Sequence, residues 1–201
     1  MTTTPPQPPP GPRRPRADAR RNYERLLTEA EATFREHGTE ASLESVARRA
    51  GVAVGTLYGH FPNRRALVSA LLRERNDALF ERGDGLLTGP SAAQALETWI
   101  RAVVAYAATY RGLAALLADG LDDAASELHA SCQRMTQIGD RLITNARRAG
   151  AIRPEVTGAD VFALMNAAAW TREHTSPRQA ERLLTFTLDG FLNHPHRTSR
   201  G

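Results

Sequence analysis

The stretch SLESVARRAGVAVGTLYGHFPNR, residues 42–64, constrains the fold most, because it joins two short helical segments through a glycine. The first segment, 43–50, carries apolar residues on one face and Glu and Arg on the other, as expected of a helix lying on a core. Gly51 supplies the positive φ that a tight turn between helices requires. The second segment, 54–60, is about two turns long, and Pro62 prevents it from continuing. The stretch therefore predicts a helix-turn-helix.

The second helix of this unit is short and polar on one side. Val46 and Leu57 supply a core shared by both helices, while Thr56, Tyr58 and His60 carry hydroxyl and imidazole groups that can reach phosphates or base edges. The major groove of DNA accepts one helix of this kind. The pattern indicates a DNA-recognition helix, and the competing interpretation is that its aromatic residues are simply core.

The positive charge of the chain is concentrated on its N-terminal side. Residues 1–75 hold 13 Arg and 8 acidic residues, residues 76–201 hold 13 Arg and 14 acidic residues, and the chain has no Lys. A basic module beside a nearly neutral one is typical of a protein whose head binds a polyanion. An ordinary solvated charged face would give the same imbalance.

The rest of the 201-residue chain shows helical spacing of apolar residues, and no segment alternates as a strand would. We expect one helix from Ala19 to a left-handed stop at Gly38, and a long one from a cap at Asn63 to about Phe80. The segment GDGLLTGP, 83–90, is expected to be a loop. Later helices are predicted over about 91–109, 110–118, 122–149, 157–172 and 176–192, with Ser176 and Pro177 beginning the last one.

These segments resemble the TetR family of bacterial transcriptional regulators. The resemblance covers residues 20–70 and rests on FREHG at the end of the first helix, SLESVARRAGV, GTLYGHF and the following PNRRAL. It implies an all-α fold with an N-terminal three-helix helix-turn-helix DNA-binding domain and a C-terminal helical ligand-binding and dimerisation domain. The expected boundaries are a disordered Pro- and Arg-rich arm at 1–17, the DNA-binding domain at 18–65, the helical body at 66–195 and a disordered tail at 196–201.

The resemblance also implies which residues contact double-stranded DNA. Thr56 and Tyr58 would contact the backbone and bases, and His60 would lie near phosphate. Arg64 stands where the family usually has a phosphate-binding Lys, a task that Arg also suits. The complete expected set is Ser42, Arg48, Ala53, Gly55, Thr56, Leu57, Tyr58, His60 and Arg64.

Two positions of the recognition helix depart from the family pattern. Ala53 replaces a common Ser and lacks the hydroxyl that would cap the helix, and Gly59 places a flexible residue inside it. In the preceding arm, Arg13, Arg14 and Arg16 are candidates to enter the minor groove. The alternative for the arm is that it adds only nonspecific affinity or solubility.

The body is expected to bind a small-molecule effector and a second copy of the chain, again by resemblance. Apolar and aromatic residues recur at helical spacing on central helices and on the last two helices. The expected effector-binding residues are Trp99, Val103, Tyr106, Tyr110, Met135 and Ile138. The last two helices offer as dimerisation candidates Val161, Leu164, Met165, Ala168, Ala169, Leu183, Leu184, Phe186, Leu188 and Phe191. The expected dimerisation residues among them are Val161, Leu164, Met165, Ala168, Leu184, Leu188 and Phe191. Plain intrachain core is the alternative for both sets.

Other classes of function find little support. The sequence has no glycine-rich phosphate loop, no G-x-S-x-G elbow and no H-E-x-x-H pair, so we expect no enzyme and no cofactor. No metal is expected, since His129 with Asp122 and Asp123 matches no closed site. The lone Cys132 and the lack of an apolar leader favour a reducing, cytoplasmic setting, and no segment is long enough to cross a membrane.

The sequence therefore predicts a repressor that binds a palindromic operator as a homodimer and is released by a small-molecule effector. One alternative is an activator, or a regulator whose body binds a protein partner. Another is a helical small-molecule-binding protein that no longer binds specific DNA, which the intact GTLY segment disfavours.

Overall fold

The computed structural model describes residues 15–119 and 127–192, and within these ranges it contains α-helices and a single isolated antiparallel bridge, between Ile152 and Leu192. The helices are α1 (Pro15–His37), α2 (Leu43–Ala50), α3 (Val54–His60), α4 (Arg64–Leu86), α5 (Ala92–Ala107), α6 (Leu113–Asp119), α7 (Glu127–Arg148), α8 (Gly158–His174) and α9 (Pro177–Phe191). The all-α prediction is confirmed. Arg13, Arg14, Asp122, Asp123 and the tail at 196–201 lie outside the described residues.

The head consists of α1, α2 and α3 packed around a small apolar core. Leu26 and Phe34 of α1, Val46 of α2 and Leu57 of α3 are all fully buried. Ala47 of α2 is also fully buried, as expected of the small residue at a close crossing of two helices. α1 begins at Pro15, four residues before the predicted Ala19, so the helix extends into the expected arm.

Local capping sets several of the helix ends. Ser42, Asn63 and Ser176 each accept a hydrogen bond from the backbone N–H three residues further on, at 3.3, 2.9 and 3.3 Å. Gly51 takes φ 63° in the turn between α2 and α3. Ala53 makes no side-chain cap for α3. All five positions behave as the sequence predicted.

The fourth helix is longer than predicted. The expected loop at 83–90 was wrong over its first half, because α4 continues through Gly83 and Gly85 to Leu86. Gly83 is buried where α4 meets Trp99 of α5, so this glycine serves a close approach and not a turn. α4 also runs without interruption across the expected domain boundary at 65/66, so head and body share it.

The body is a bundle in which α7 packs on α4 and α5, while α8 packs on α5 and α9. The start of α8 has a reciprocal capping box: the Thr157 hydroxyl accepts from the Asp160 N–H at 3.2 Å, and the Asp160 carboxylate accepts from the Thr157 N–H at 2.7 Å. α8 continues to His174, two residues beyond the predicted end. This packing encloses one side of α7 and leaves much of α9 at the surface.

Candidate functional site

The exposed face of α3 is formed by the residues around Leu57 and not by Leu57 itself. Leu57 is 0% exposed, whereas Val54 is 40% and Tyr58 41% exposed. A fully buried side chain has no surface with which to contact DNA, so the expected role of Leu57 was wrong and it belongs to the core of the head. With Leu57 facing the core, the polar side of α3 faces solvent.

Tyr58 is joined to α2 through a carboxylate. Its hydroxyl donates to Glu44 at 3.1 Å, and the Ser42 hydroxyl donates to the same carboxylate at 2.6 Å. The Ser42 hydroxyl, the Glu44 backbone N–H and the Tyr58 hydroxyl hold the pKa of Glu44 below its ordinary value. The hydrogen bond to this carboxylate raises the pKa of Tyr58. Glu44 was not predicted as part of this site. Its carboxylate places a negative charge beside Ser42 and Tyr58, which are expected to contact DNA.

Arg64 lies at the start of α4 and faces the connection between α1 and α2. Its Nη1 donates to the backbone carbonyls of Thr39 and Ala41, the latter at 2.6 Å. These bonds join the N-terminus of α4 to the preceding loop, which is a structural role for the guanidinium. Contact between Arg64 and phosphate stays a prediction, as does contact by the exposed Arg48 of α2.

The other expected DNA-contacting residues lie in α3 or, for Ala53, at its N-cap. Thr56 and His60 are half-buried, and the His60 ring meets Tyr23 edge-on with 5.8 Å between centroids. Ala53 and Gly55 are exposed, and an ideal Cβ on Gly55 or Gly59 would have no neighbour within 4 Å. Neither glycine is required by packing within the described head.

A cavity of about 80 Å³ lies in the body between α5, α6, α7 and α8. Its wall includes three predicted effector residues, Trp99, Val103 and Met135. The cavity is small beside the roughly 300–1,000 Å³ of typical ligand pockets. Further lining residues, which the sequence did not single out for this role, include Cys132, Gly139, Asp140, Val161, Phe162 and Met165.

Three predicted effector residues lie elsewhere. Tyr106 is buried and donates to Asn76 of α4, and Tyr110 donates to Glu31 of α1. Ile138 is buried against Gly83. A role of these three residues in effector binding stays a prediction, because periodicity identifies an apolar face but not whether that face meets a neighbouring helix or a ligand.

Cys132 lies at the cavity wall but is suited to packing. It is 7% exposed, and burial raises the pKa of its thiol to about 11. Because the thiolate is the reactive form, this environment favours an inert neutral thiol. These surroundings suit a buried small hydrophobic residue better than a redox switch.

Glu31 of α1 connects the head to the body. It accepts a hydrogen bond from the Tyr110 hydroxyl and forms ion pairs with Arg35 at 2.7 Å and Arg75 at 3.3 Å. Burial opposes ionisation of Glu31, but Tyr110, Arg35 and Arg75 together lower its pKa. Burial and the Glu31 carboxylate both raise the pKa of Tyr110. Helices α1 and α4 and the turn between α5 and α6 therefore meet at one charged hydrogen-bonded cluster.

A second connection runs through the turn between α5 and α6. The Thr39 N–H donates to the Arg111 carbonyl at 2.8 Å, and the Gly112 N–H donates to Glu173 of α8 at 3.1 Å. Gly38 packs so tightly on this turn that an ideal Cβ would lie 2.8 Å from the Arg111 oxygen. The turn thus contacts both the head and a helix of the cavity wall.

Helices α8 and α9 carry an exposed apolar surface that includes two of the dimerisation candidates, Leu183 and Phe186, but leaves out several others. Val161, Ala168, Leu184 and Leu188 are buried within the chain, so they cannot form a contact surface for a partner and their assignment was wrong. Leu164, Met165 and Phe191 are half-buried. The large exposed apolar residues here are Phe162 (40% exposed), Trp170 (59%), Leu183 (44%) and Phe186 (63%).

A sequence signal for this surface does exist. In α9, Leu184 and Leu188 form one apolar stripe, and Leu183 and Phe186 extend it around the helix. A helix with one core-facing stripe needs no further large apolar residues, so the additional ones indicate a second contact.

Two other expectations concern metal and membrane. Among the described residues, no three His, Cys, Asp or Glu side chains come together as a metal site would require. None of the described helices is both long and apolar enough to cross a membrane.

Two family models match the chain and together cover both regions. The model described as "Bacterial regulatory proteins, tetR family" matches residues 26–71, the helix-turn-helix region. The model described as "Transcriptional regulator SbtR-like, C-terminal domain" matches residues 91–193, the body. No curated protein matches the chain significantly.

Similar solved structures span nearly the whole described chain. A TetR transcriptional regulator from Streptomyces coelicolor is 36% identical, with 85% of this chain and 98% of that chain covered and a TM-score of 0.56. The ketosteroid transcriptional regulator KstR2 of Mycobacterium tuberculosis is 20% identical, with coverage of 86% and 95% and a TM-score of 0.60. The transcriptional regulator FadR from Bacillus subtilis, solved in complex with stearoyl-CoA, is 20% identical, with coverage of 84% and 98% and a TM-score of 0.56.

Proposed function

The chain belongs to the TetR family of DNA-binding transcriptional regulators and is not an enzyme, and from this premise we propose that it is a repressor, released from a palindromic operator by a small-molecule effector. The observation that carries the proposal is the orientation of α3. Leu57 is buried in the head while Tyr58 and Val54 face outward, so the second helix of the helix-turn-helix presents a surface that fits a major groove.

The DNA-binding surface consists of the exposed side of α3 and the adjoining end of α2. Tyr58, Thr56 and His60 contact the operator from α3, and Arg48 contributes positive charge from α2. Arg64 contributes chiefly by fixing the start of α4, because its Nη1 is hydrogen-bonded to two backbone carbonyls. Phosphate contacts fix the register of the head, and base contacts supply the specificity.

Two copies of the chain form the functional unit. One head reads only a few base pairs. A symmetric dimer reads twice as many, and its twofold symmetry matches an operator that is palindromic as a whole. The exposed Trp170, Leu183 and Phe186 support α8 and α9 as the contact surface, since large apolar side chains are seldom left exposed together without a partner.

The cavity between α5 and α8 is the proposed effector site. Its wall is mainly apolar, and one wall helix, α8, is hydrogen-bonded to the α5–α6 turn that contacts the head. The similar FadR structure was solved in complex with stearoyl-CoA, which supports small-molecule binding by a protein of this fold. An effector larger than the cavity would separate its walls, and this displacement would favour a head spacing that no longer matches DNA.

The experiment that tests the proposal measures binding to DNA from the protein's own promoter region and to scrambled DNA of equal length across a salt series. We expect selective binding at dimer stoichiometry, with a salt-dependent electrostatic contribution common to both DNAs. Tyr58→Ala is expected to abolish selective binding while sedimentation shows an unchanged dimer. Equal affinity of wild type and Tyr58→Ala for the selected DNA would contradict the role of α3.

A further inference from the structure

We infer that Glu173 of α8 is a positioning residue for DNA binding, because it holds one edge of the Arg111–Gly112 peptide group while Thr39 of the head holds the opposite edge. The inference rests on the proposed function, since it takes α3 to be the DNA-binding helix of the head. A single peptide group and a single carboxylate thereby connect the position of α8 to that of the head.

The Arg111–Gly112 peptide group is the centre of the tight turn between α5 and α6. The Leu113 N–H donates to the Tyr110 carbonyl at 3.0 Å, and Gly112 takes φ 82°. A glycine with positive φ at the third position of such a turn is typical of a type II turn. The C=O and N–H of a trans peptide group point in opposite directions, so this group presents an acceptor on one side and a donor on the other.

The head binds the carbonyl edge of this peptide group. The Thr39 N–H and hydroxyl donate to the Arg111 carbonyl at 2.8 and 3.4 Å, and Thr39 is fully buried. The contact is close, since an ideal Cβ on Gly112 would lie 2.7 Å from the Thr39 hydroxyl oxygen. Both donors of a buried polar residue in the head therefore depend on one carbonyl of the body.

Thr39 is also joined to the start of α4, which closely follows α3. Arg64 Nη1 donates to the Thr39 carbonyl and, at 2.6 Å, to the Ala41 carbonyl. Three residues separate Arg64 from the end of α3 at His60. The position of Thr39 therefore fixes the base of the helix-turn-helix relative to the body.

Helix α8 binds the N–H edge of the same peptide group. The Glu173 carboxylate accepts from the Gly112 N–H at 3.1 Å, and Glu173 is half-buried near the end of α8. The same helix contributes to the cavity wall and carries the exposed Phe162 and Trp170. An effector in the cavity, or a partner on the exposed surface, therefore acts on the helix that holds the turn.

The two hydrogen bonds cannot change independently, because the peptide group is planar. Rotation of the plane about the line between the two Cα atoms moves the carbonyl and the N–H together. A displacement of α8 that turns the N–H edge therefore also moves the carbonyl away from Thr39. Loss of that bond leaves buried donors of Thr39 unpaired, which weakens the attachment of the head. A loosely attached head must be ordered again when it binds DNA, and this lowers the affinity.

Amide hydrogen exchange, measured by NMR on the full-length chain without DNA, tests the connection. Glu173→Ala removes the acceptor and is expected to speed exchange of the Gly112 and Thr39 amides by about threefold to tenfold. Glu173→Gln retains an acceptor oxygen and should restore most of the protection. Glu97→Ala is the matched control, because this half-buried carboxylate binds Arg101 of its own helix at 2.9 Å, and it should leave both amides unchanged.

Fluorescence anisotropy with promoter DNA tests the consequence for binding. Glu173→Ala is expected to weaken the complex about threefold to tenfold, whereas Glu173→Gln should bind within about twofold of wild type. The loss of affinity should follow the exchange rate of the Thr39 amide across the three variants. A general loss of stability would not produce that correlation.

The inference is overturned if Glu173→Ala speeds exchange at Gly112 but not at Thr39, or speeds it equally throughout α9. Loss of protection at Thr39 with unchanged affinity for DNA would overturn it as well. A wild-type protein that does not select its promoter DNA would contradict the proposed function and the role of Glu173 in DNA binding. The exchange of the Thr39 amide would still decide whether Glu173 holds the head.

Discussion

The indole of Trp99 lies directly on the backbone of α4 at Gly83, where an ideal Cβ would be 2.6 Å from the ring atom Cζ3. The same Cβ would be 2.8 Å from Cγ2 of Ile138. A glycine in the interior of a helix is unfavourable by about 1 kcal/mol relative to alanine. Here the loss allows α4, α5 and α7 to approach closely behind the wall of the cavity.

Gly83→Ala is therefore expected to destabilise the protein although alanine is the better helix former. Moving a buried indole and a branched side chain to admit a methyl group costs about 1–3 kcal/mol, which exceeds the helical gain. Chemical denaturation measures the difference. Gly85→Ala in the same helix is the matched control, because nothing lies within 4 Å of its ideal Cβ, and it is expected to be neutral or stabilising. Equal effects of the two substitutions would show that packing at Gly83 is unimportant.

Glu44→Gln is expected to strengthen DNA binding about threefold to tenfold at low salt. The carboxylate lies beside Tyr58 and Ser42 on the surface proposed to face phosphates, so its removal relieves like-charge repulsion while the amide can still accept from the tyrosine. Fluorescence anisotropy with promoter DNA measures the change. Glu155→Gln, an exposed position in the body with the same change of charge, should have little effect. A weaker complex for Glu44→Gln would mean that the carboxylate orients Tyr58 for binding.

Tyr110→Phe is expected to lower the free energy of unfolding by about 1 kcal/mol at pH 7, because Glu31 loses a hydrogen-bond donor. The folded protein holds the pKa of Glu31 below its ordinary value of 4.5. The stabilisation is therefore present above that value and is lost as the pH falls through the lower folded pKa. Urea denaturation of wild type and variant should show a difference that shrinks from pH 7 towards pH 3.5.

The control for this pH dependence is Tyr106→Phe. The Tyr106 hydroxyl donates to the neutral amide of Asn76, so its loss should destabilise the protein by a similar amount at both pH values. A difference for Tyr110→Phe that stays constant with pH would rule out the charged cluster as its cause.

Phe186→Asp is expected to convert the dimer to monomer and to reduce affinity for the promoter DNA by at least about a hundredfold. Phe186 is 63% exposed, so the substitution removes no core packing but places a charge in the proposed contact surface. Analytical ultracentrifugation and circular dichroism distinguish dissociation from unfolding. Phe186→Leu retains an apolar side chain and should remain dimeric. A dimeric Phe186→Asp would exclude this part of α9 from the interface.

The sequence by itself determined the helices of the head and most of their ends, the exception being the start of α1. Ser42, Gly51, Asn63 and Pro62 act through their own backbone geometry and nearest hydrogen bonds, so their effects are readable without knowing what lies opposite. The same is true of Ser176 at the start of α9. The helix-turn-helix followed from these local constraints, and the family from the resemblance of the motifs at residues 20–70.

The tertiary structure decided which apolar residues are core, cavity wall or exposed surface. Periodicity assigns Trp99 and Tyr106 to one face of α5, yet only Trp99 reaches the cavity, and Tyr106 meets Asn76 of α4. Gly83 was misread as a loop residue because its reason for being glycine is the indole of another helix. Contacts between residues distant in the chain depend on how helices cross, and a helical period specifies a direction but not what occupies it.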